Sequence, residues 1–198
     1  MSSSEPASWR TGALDLLLYT VAVAIGAVGW AAFRIARIAG ATGPRVSVPA
    51  TDIVSFGGED ATASGFVDVT VLAPATDALG RTWLILATLL VAVAIVVAMR
   101  SLMLIALAVR RGEVFSRRTT RALTTIGAAL TATAFGWPVL DGLGRERALD
   151  SLGVPFEPLH VMDLIPLAPV FVAALAAAVL ATAFAHGERL RRDTEGLV

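Results

Sequence analysis

The sequence predicts an all-α membrane protein: a four-transmembrane-helix bundle with a small extracytoplasmic β insert between the first and second helices. Three observations predict it. Of the 198 residues, 56% are hydrophobic and only 16% are charged, whereas soluble domains run at about 45–50% and 25%. The charges fall in islands between apolar runs long enough to cross a hydrocarbon core. One island, residues 40–81, switches to the two-residue alternation of strands. At this length the chain reads as a single domain, 1–198, with spans at about 13–35, 82–109, 121–143 and 164–186.

Met1 to Thr11 is Ser-rich and reads as a disordered tail. The apolar run that follows carries only Asp15 near its start and is succeeded by Arg34 and Arg37. Those flanks fit an uncleaved anchor better than a cleaved signal peptide. Residues 40–81 hold the breakers Gly43-Pro44, Pro49, Gly57-Gly58 and Pro74. Between them, Arg45 to Val48 and Phe66 to Leu72 read as strands of a two- to four-stranded insert. Such an insert is marginal alone and is expected to lean on helix ends or on the second loop. Its acids lack metal-loop spacing and read as a solvated face.

The second apolar run is interrupted once, by Arg100. Thr82 to Met99 already covers about 27 Å as helix, so Arg100 is expected at headgroup level, with Ser101 to Val109 continuing as helix. Residues 110–121 form a basic connector, with Gly112 ending one helix and Ser116 capping the next. The third run carries Gly136-Trp137-Pro138, an expected kink, with Asp141 just beyond it. Gly144 to Asp163 reads as a polar loop. The fourth run is alanine-rich, with Pro166 and Pro169 in its first turns, and the tail from His186 reads as short and polar. Ala22/Gly26, Ala128/Ala132/Gly136 and Ala173/Ala177/Ala181 place small residues four apart, where helices could approach closely.

Composition excludes several chemistries. No cysteine is present, so thiolate nucleophiles, disulfides and Cys-ligated metals are out. His160 and His186 have no second histidine to complete a metal site, no serine-hydrolase or phosphate-loop motif occurs, and no cofactor is implied. Zero net charge offers no global attraction to nucleic acid, and no direct binding is expected. All sixteen basic residues are arginine. With both termini cytoplasmic, nine arginines lie inside and six outside, which favours that orientation. The inner cluster Arg110, Arg111, Arg117, Arg118 and Arg121 is expected to face anionic lipid.

RRGEVFSRRTTRALTTIG (Arg110 to Gly127) and the tail FAHGERLRRDTEGLV resemble a bacterial membrane family catalogued as domain of unknown function 2975. The matching positions are Gly112, Phe115, Ser116, Leu123 and Gly127 in the connector. In the tail they are Phe184, Gly187, Leu190, Asp193, Glu195, Gly196 and Leu197. Where the family usually carries Asn, this chain has Thr119. The resemblance implies a multi-pass protein of the bacterial cytoplasmic membrane. It also implies a non-enzymatic sensor or sequestering partner of a small helix-turn-helix regulator. The alternative is an oligomeric transport, permeability or accessory protein with polar positions at Thr88, Thr125, Thr131 and Thr133. The expected partners are the bilayer, such a regulator and further copies of the chain.

Overall fold

The computed structural model describes residues 7–55, 62–111, 116–154, 165 and 167–195, with side chains described for 18–46, 70–111, 116–154, 165 and 167–189. The elements run α1 (Ala7–Ala39), β1 (Arg45–Ser55), β2 (Thr62–Leu72), α2 (Ala78–Arg110), α3 (Arg117–Asp150) and α4 (Ala168–Glu195). Each helix contains a stretch long and apolar enough to cross a membrane. The helices pack in chain order: α1 on α2, α2 on α3, and α3 on α4. Among the described residues α1 and α4 share no broad contact. Each terminal helix therefore buries one narrow stripe. On α1 it is Thr20, Ala27, Ala31 and Ile38, and on α4 it is Ala174, Ala177 and Ala181. Tyr19, Ile25 and Phe33, like Val172, Leu175 and Val179, stand outside those stripes and are exposed.

The first three helices outrun their expected bounds at both ends, whereas α4 begins at Ala168, later than expected, and outruns its bound only at the C-terminal end. The helical backbone of α1 starts at Ala7, inside the stretch expected to be a disordered tail. α3 continues through Pro138 to Asp150, so Gly144 to Asp150 is helix rather than loop. Asp141, Gly144, Ala148 and Leu149 are buried along that extension at helical spacing. Packing there overrides the glycines that suggested a loop. α4 carries the polar tail in helical form to Glu195, consistent with the strong helix preference of Glu, Arg and Leu. Pro169 sits in the first turn of α4 as expected, while Pro166 and His160 lie outside the described residues.

The tightest seam joins α2 to α3. A Cβ on Gly144 would lie 2.5 Å from Leu84 Cγ, one on Gly80 would lie 2.7 Å from Arg147 Cβ, and one on Gly136 would lie 2.8 Å from Leu90 Cδ2. These pairings run antiparallel, rising along α2 as they fall along α3. The sequence reading picked Gly136 correctly, as it did Ala177 and Ala181. Ala22, Gly26, Ala128, Ala132 and Ala173, by contrast, are exposed, and nothing lies within 4 Å of a Cβ on Gly26. A four-residue spacing fixes a face of the helix without saying which way that face turns.

The β insert is a two-stranded antiparallel hairpin, paired from Arg45↔Leu72 to Ser55↔Thr62. Its base is locked to the helices. Gly43, at φ 73°, has no room for a side chain against the Ala73 carbonyl and Pro74. Val46 is buried with Ala73, Ala148 and Leu149, and Leu152 and Val154 close the cluster. The Arg81 guanidinium donates to the carbonyls of Thr76 (3.1 Å), Pro74 (2.8 Å), Ala39 and Gly40 (3.4 Å each). It thus satisfies carbonyls at the C-terminal end of α1, where helices leave acceptors unpaired. Asp77 caps α2 by accepting from Gly80 N at 2.8 Å, and its second oxygen meets Arg147 of α3 at 3.4 Å. Hairpin and helix ends form one polar collar.

A buried carboxylate ties α1 to α3 below that collar. Asp141, expected near a helix end, is buried well inside α3. It pairs with Arg145 at 2.6 Å one turn on and with Arg34 of α1 at 3.5 Å. Arg34 also stacks over Trp30 at 5.5 Å.

Two substitutions test these contacts. Gly144→Ala should destabilise the purified protein by about 1–3 kcal/mol, and adding Leu84→Ala should recover part of that loss in thermal unfolding. Asp141→Asn should cost about 1–2 kcal/mol. The figure is held down because Arg34 and Arg145 are 37% and 40% exposed and stay partly hydrated. Combining it with Arg34→Gln should add little if the pair carries the effect.

Candidate functional site

The opposite end of the α2–α3 pair carries the connector. The last turn of α2 is closed by the Arg111 amide, which donates to Ala108 O at 3.1 Å and Leu107 O at 3.3 Å. Ser116 starts α3 as expected: its hydroxyl accepts from the Thr119 amide at 3.4 Å and lies 3.1 Å from the Thr119 hydroxyl. Thr119 is buried. Its side chain supports the helix cap.

Between the two capped ends the helices part around a cavity of about 540 Å³. α2 presents Val97, Arg100, Ser101, Leu104, Leu107 and Arg111, and α3 presents Arg118, Arg121 and Thr125. Both sets follow the i, i+3, i+4, i+7 spacing of one helical face. The lining thus combines aliphatic side chains, the hydroxyl-bearing Ser101 and Thr125, and four arginines, all of them exposed.

Their electrostatic setting differs from that at the hairpin end. There Arg34, Arg145 and Arg147 pair with carboxylates, Arg81 is held by carbonyls, and Arg37 lies 5.5 Å over Phe33. Among the described residues no carboxylate pairs with Arg100, Arg111, Arg118 or Arg121. Arg117 points elsewhere and meets Glu188 of α4 at 3.5 Å.

Of the connector positions singled out from the sequence, Ser116 is the cap and Leu123 is half-buried in α3. Gly127 packs against α4, where a Cβ would lie 3.7 Å from Ala174 O and Ala177 Cβ. Gly112 and Phe115 lie outside the described residues. Arg110 is exposed and is not part of the cavity lining. In the tail, Gly187 is half-buried in α4. Leu190, Asp193 and Glu195 belong to the α4 backbone, and Gly196 lies outside the described residues. The sequence reading set Arg100 at an interface without joining it to the connector arginines, and it missed Ser101 and Glu188. The shared signal is the face spacing, visible only once α2 and α3 are paired.

Among the described residues no three His, Cys, Asp or Glu side chains gather to hold a metal. His186 is exposed, with Nδ1 2.9 Å from Thr182 O on its own helix. Thr88, Thr125, Thr131 and Thr133 each donate to the carbonyl four residues back, at 2.8–2.9 Å. Thr88 is buried whereas Thr125 and Thr131 are exposed, so the four do not share one environment.

The two basic, glycine-marked segments thus sit together at one end of α3 and α4. The family described as "Protein of unknown function (DUF2975)" matches residues 61–198. The chain belongs to this family. The match takes in β2, α2, α3 and α4, and so both segments. No curated protein and no solved structure matches the chain.

The cap can be checked directly. Ser116→Ala should lower stability by about 1 kcal/mol, whereas Ser116→Asp should retain most of it, both read from thermal unfolding.

Proposed function

We propose that this DUF2975 protein is a non-enzymatic, multi-pass protein of the bacterial cytoplasmic membrane whose connector end faces the cytoplasm. There it docks a soluble partner, a small helix-turn-helix regulator that it senses for or sequesters. Four apolar helices of spanning length support the membrane placement, because an exposed face of Tyr, Ile, Phe, Val and Leu is stable in lipid and costly in water. An even number of spans puts both termini and the α2–α3 connector on one side. That side then carries Arg110, Arg111, Arg117, Arg118, Arg121 and Arg189, in keeping with the excess of basic residues in cytoplasmic loops. The hairpin becomes extracytoplasmic.

The observation that carries the docking reading is the Arg117–Glu188 ion pair. It joins two segments about seventy residues apart, the same two that resemble the family's inner motifs, into one surface. The helix-turn-helix partner class comes from that resemblance. A transport role draws less support, because the threonine hydroxyls that would line a path are bonded to their own helices.

Single cysteines introduced into this cysteine-free chain test the topology: residues at the hairpin should react with an impermeant thiol reagent from outside intact cells, and position 110 only after permeabilisation. Arg117→Glu should release a co-expressed helix-turn-helix regulator from the membrane fraction, and Arg117→Glu with Glu188→Arg should restore retention. Unchanged retention, with unchanged transcripts after deletion of residues 187–198, would end the docking reading.

A further inference from the structure

We infer that the cavity between the connector ends of α2 and α3 binds one phosphate-bearing anionic amphiphile, its head on Arg111, Arg118 and Arg121 at the connector and its chain along Leu107, Leu104 and Val97. The inference goes beyond partner docking and shares with it only the placement of these helices in a bilayer.

Charge is the first argument. The guanidiniums of Arg111, Arg118 and Arg121 around one end of this space repel one another, and among the described residues no carboxylate balances them. An anion placed between them gains charge-assisted hydrogen bonds from several planar donor forks, the geometry that suits phosphate oxygens. The capped start of α3 lies at the same end, and its partial positive charge acts in the same direction.

Shape is the second. The volume of about 540 Å³ falls within the range of roughly 300–1,000 Å³ found for small-molecule sites. Eleven residues separate Arg100 from Arg111 along α2, about 16 Å of helix. Between them the lining is Leu104, Leu107 and Ala108, with Ser101 beside Arg100. A free phosphate would use the connector arginines and leave the leucines in contact with water, whereas an amphiphile covers both.

The test compares two double substitutions of equal charge in one short stretch. Arg111→Gln/Arg118→Gln alters the cavity, and Arg110→Gln/Arg117→Gln alters exposed neighbours outside it. The full-length protein is purified in neutral detergent. Binding of dioleoylphosphatidylglycerol, dioleoylphosphatidylcholine and inorganic phosphate is then followed by native mass spectrometry and by the shift in melting temperature. The expected result is one retained phosphatidylglycerol per chain, preferred over phosphatidylcholine. The cavity pair should weaken it about thirtyfold, and the outside pair should have little effect. Leu104→Trp, which fills the aliphatic wall and leaves every arginine in place, should weaken lipid binding as well.

Three results would overturn the inference: equal retention of both lipids, equal loss in both double variants, or full competition by inorganic phosphate. The last would assign the arginines to a free phosphate compound. Lipid binding that persists in Arg117→Glu while the regulator is released separates this site from the docking surface.

Discussion

Everything in this molecule hangs on how closely α2 can approach α3. Gly80, Gly136 and Gly144 remove the atoms that would hold the helices apart, and Leu84, Leu90 and Arg147 occupy the space released. α1 rests on α2, α4 rests on α3, and the hairpin closes over the ends of both. For helices placed in a bilayer, where the hydrophobic drive between them is weak, such contact would come from dispersion over complementary surfaces. That favours small residues. The glycines lie toward the hairpin, and the connector ends, which lack them at the seam, part around the arginine-rimmed space.

The arginines divide along the same axis. Near the hairpin Arg34, Arg37, Arg81, Arg145 and Arg147 each meet a carboxylate, a set of carbonyls or an aromatic face. Near the connector the four that surround the cavity meet none among the described residues. Arginine at the hairpin end is structural glue, most plainly at Arg81, whose planar fork reaches the last turn of α1 and the loop before α2 at once. A lysine there could supply a charge but not that spread of donors.

How much of this was legible beforehand depended on the kind of signal. Hydrophobic run length identified four helices in order, and the alternation at Val67, Val69 and Val71 identified β2, because both follow from local periodicity. Ser116 was legible as a cap for the same reason. The helix ends were misread at Gly144 and His186. Glycine suggested loop at the first and charge ended the span at the second, and burial against a neighbouring helix or strong helix preference decided otherwise. The cavity was legible only as a cluster of charge. Arg100 and Arg121 are twenty-one positions apart, and no local rule reveals that an antiparallel pairing wraps both around one space. Facing direction was equally hidden, which is why Ala22 and Gly26 looked like packing positions and are exposed.

The family match begins at residue 61, one position before β2, while the hairpin's other strand and α1 precede it. The boundary drawn by sequence likeness therefore cuts between two strands that share eleven paired positions. A chain starting there would present β2 as a bare sheet edge, open to pairing with another copy. It would also leave Arg81 without the carbonyls of Ala39 and Gly40. The unit that folds is larger than the unit that is recognised, and its missing third supplies the lid of its own collar.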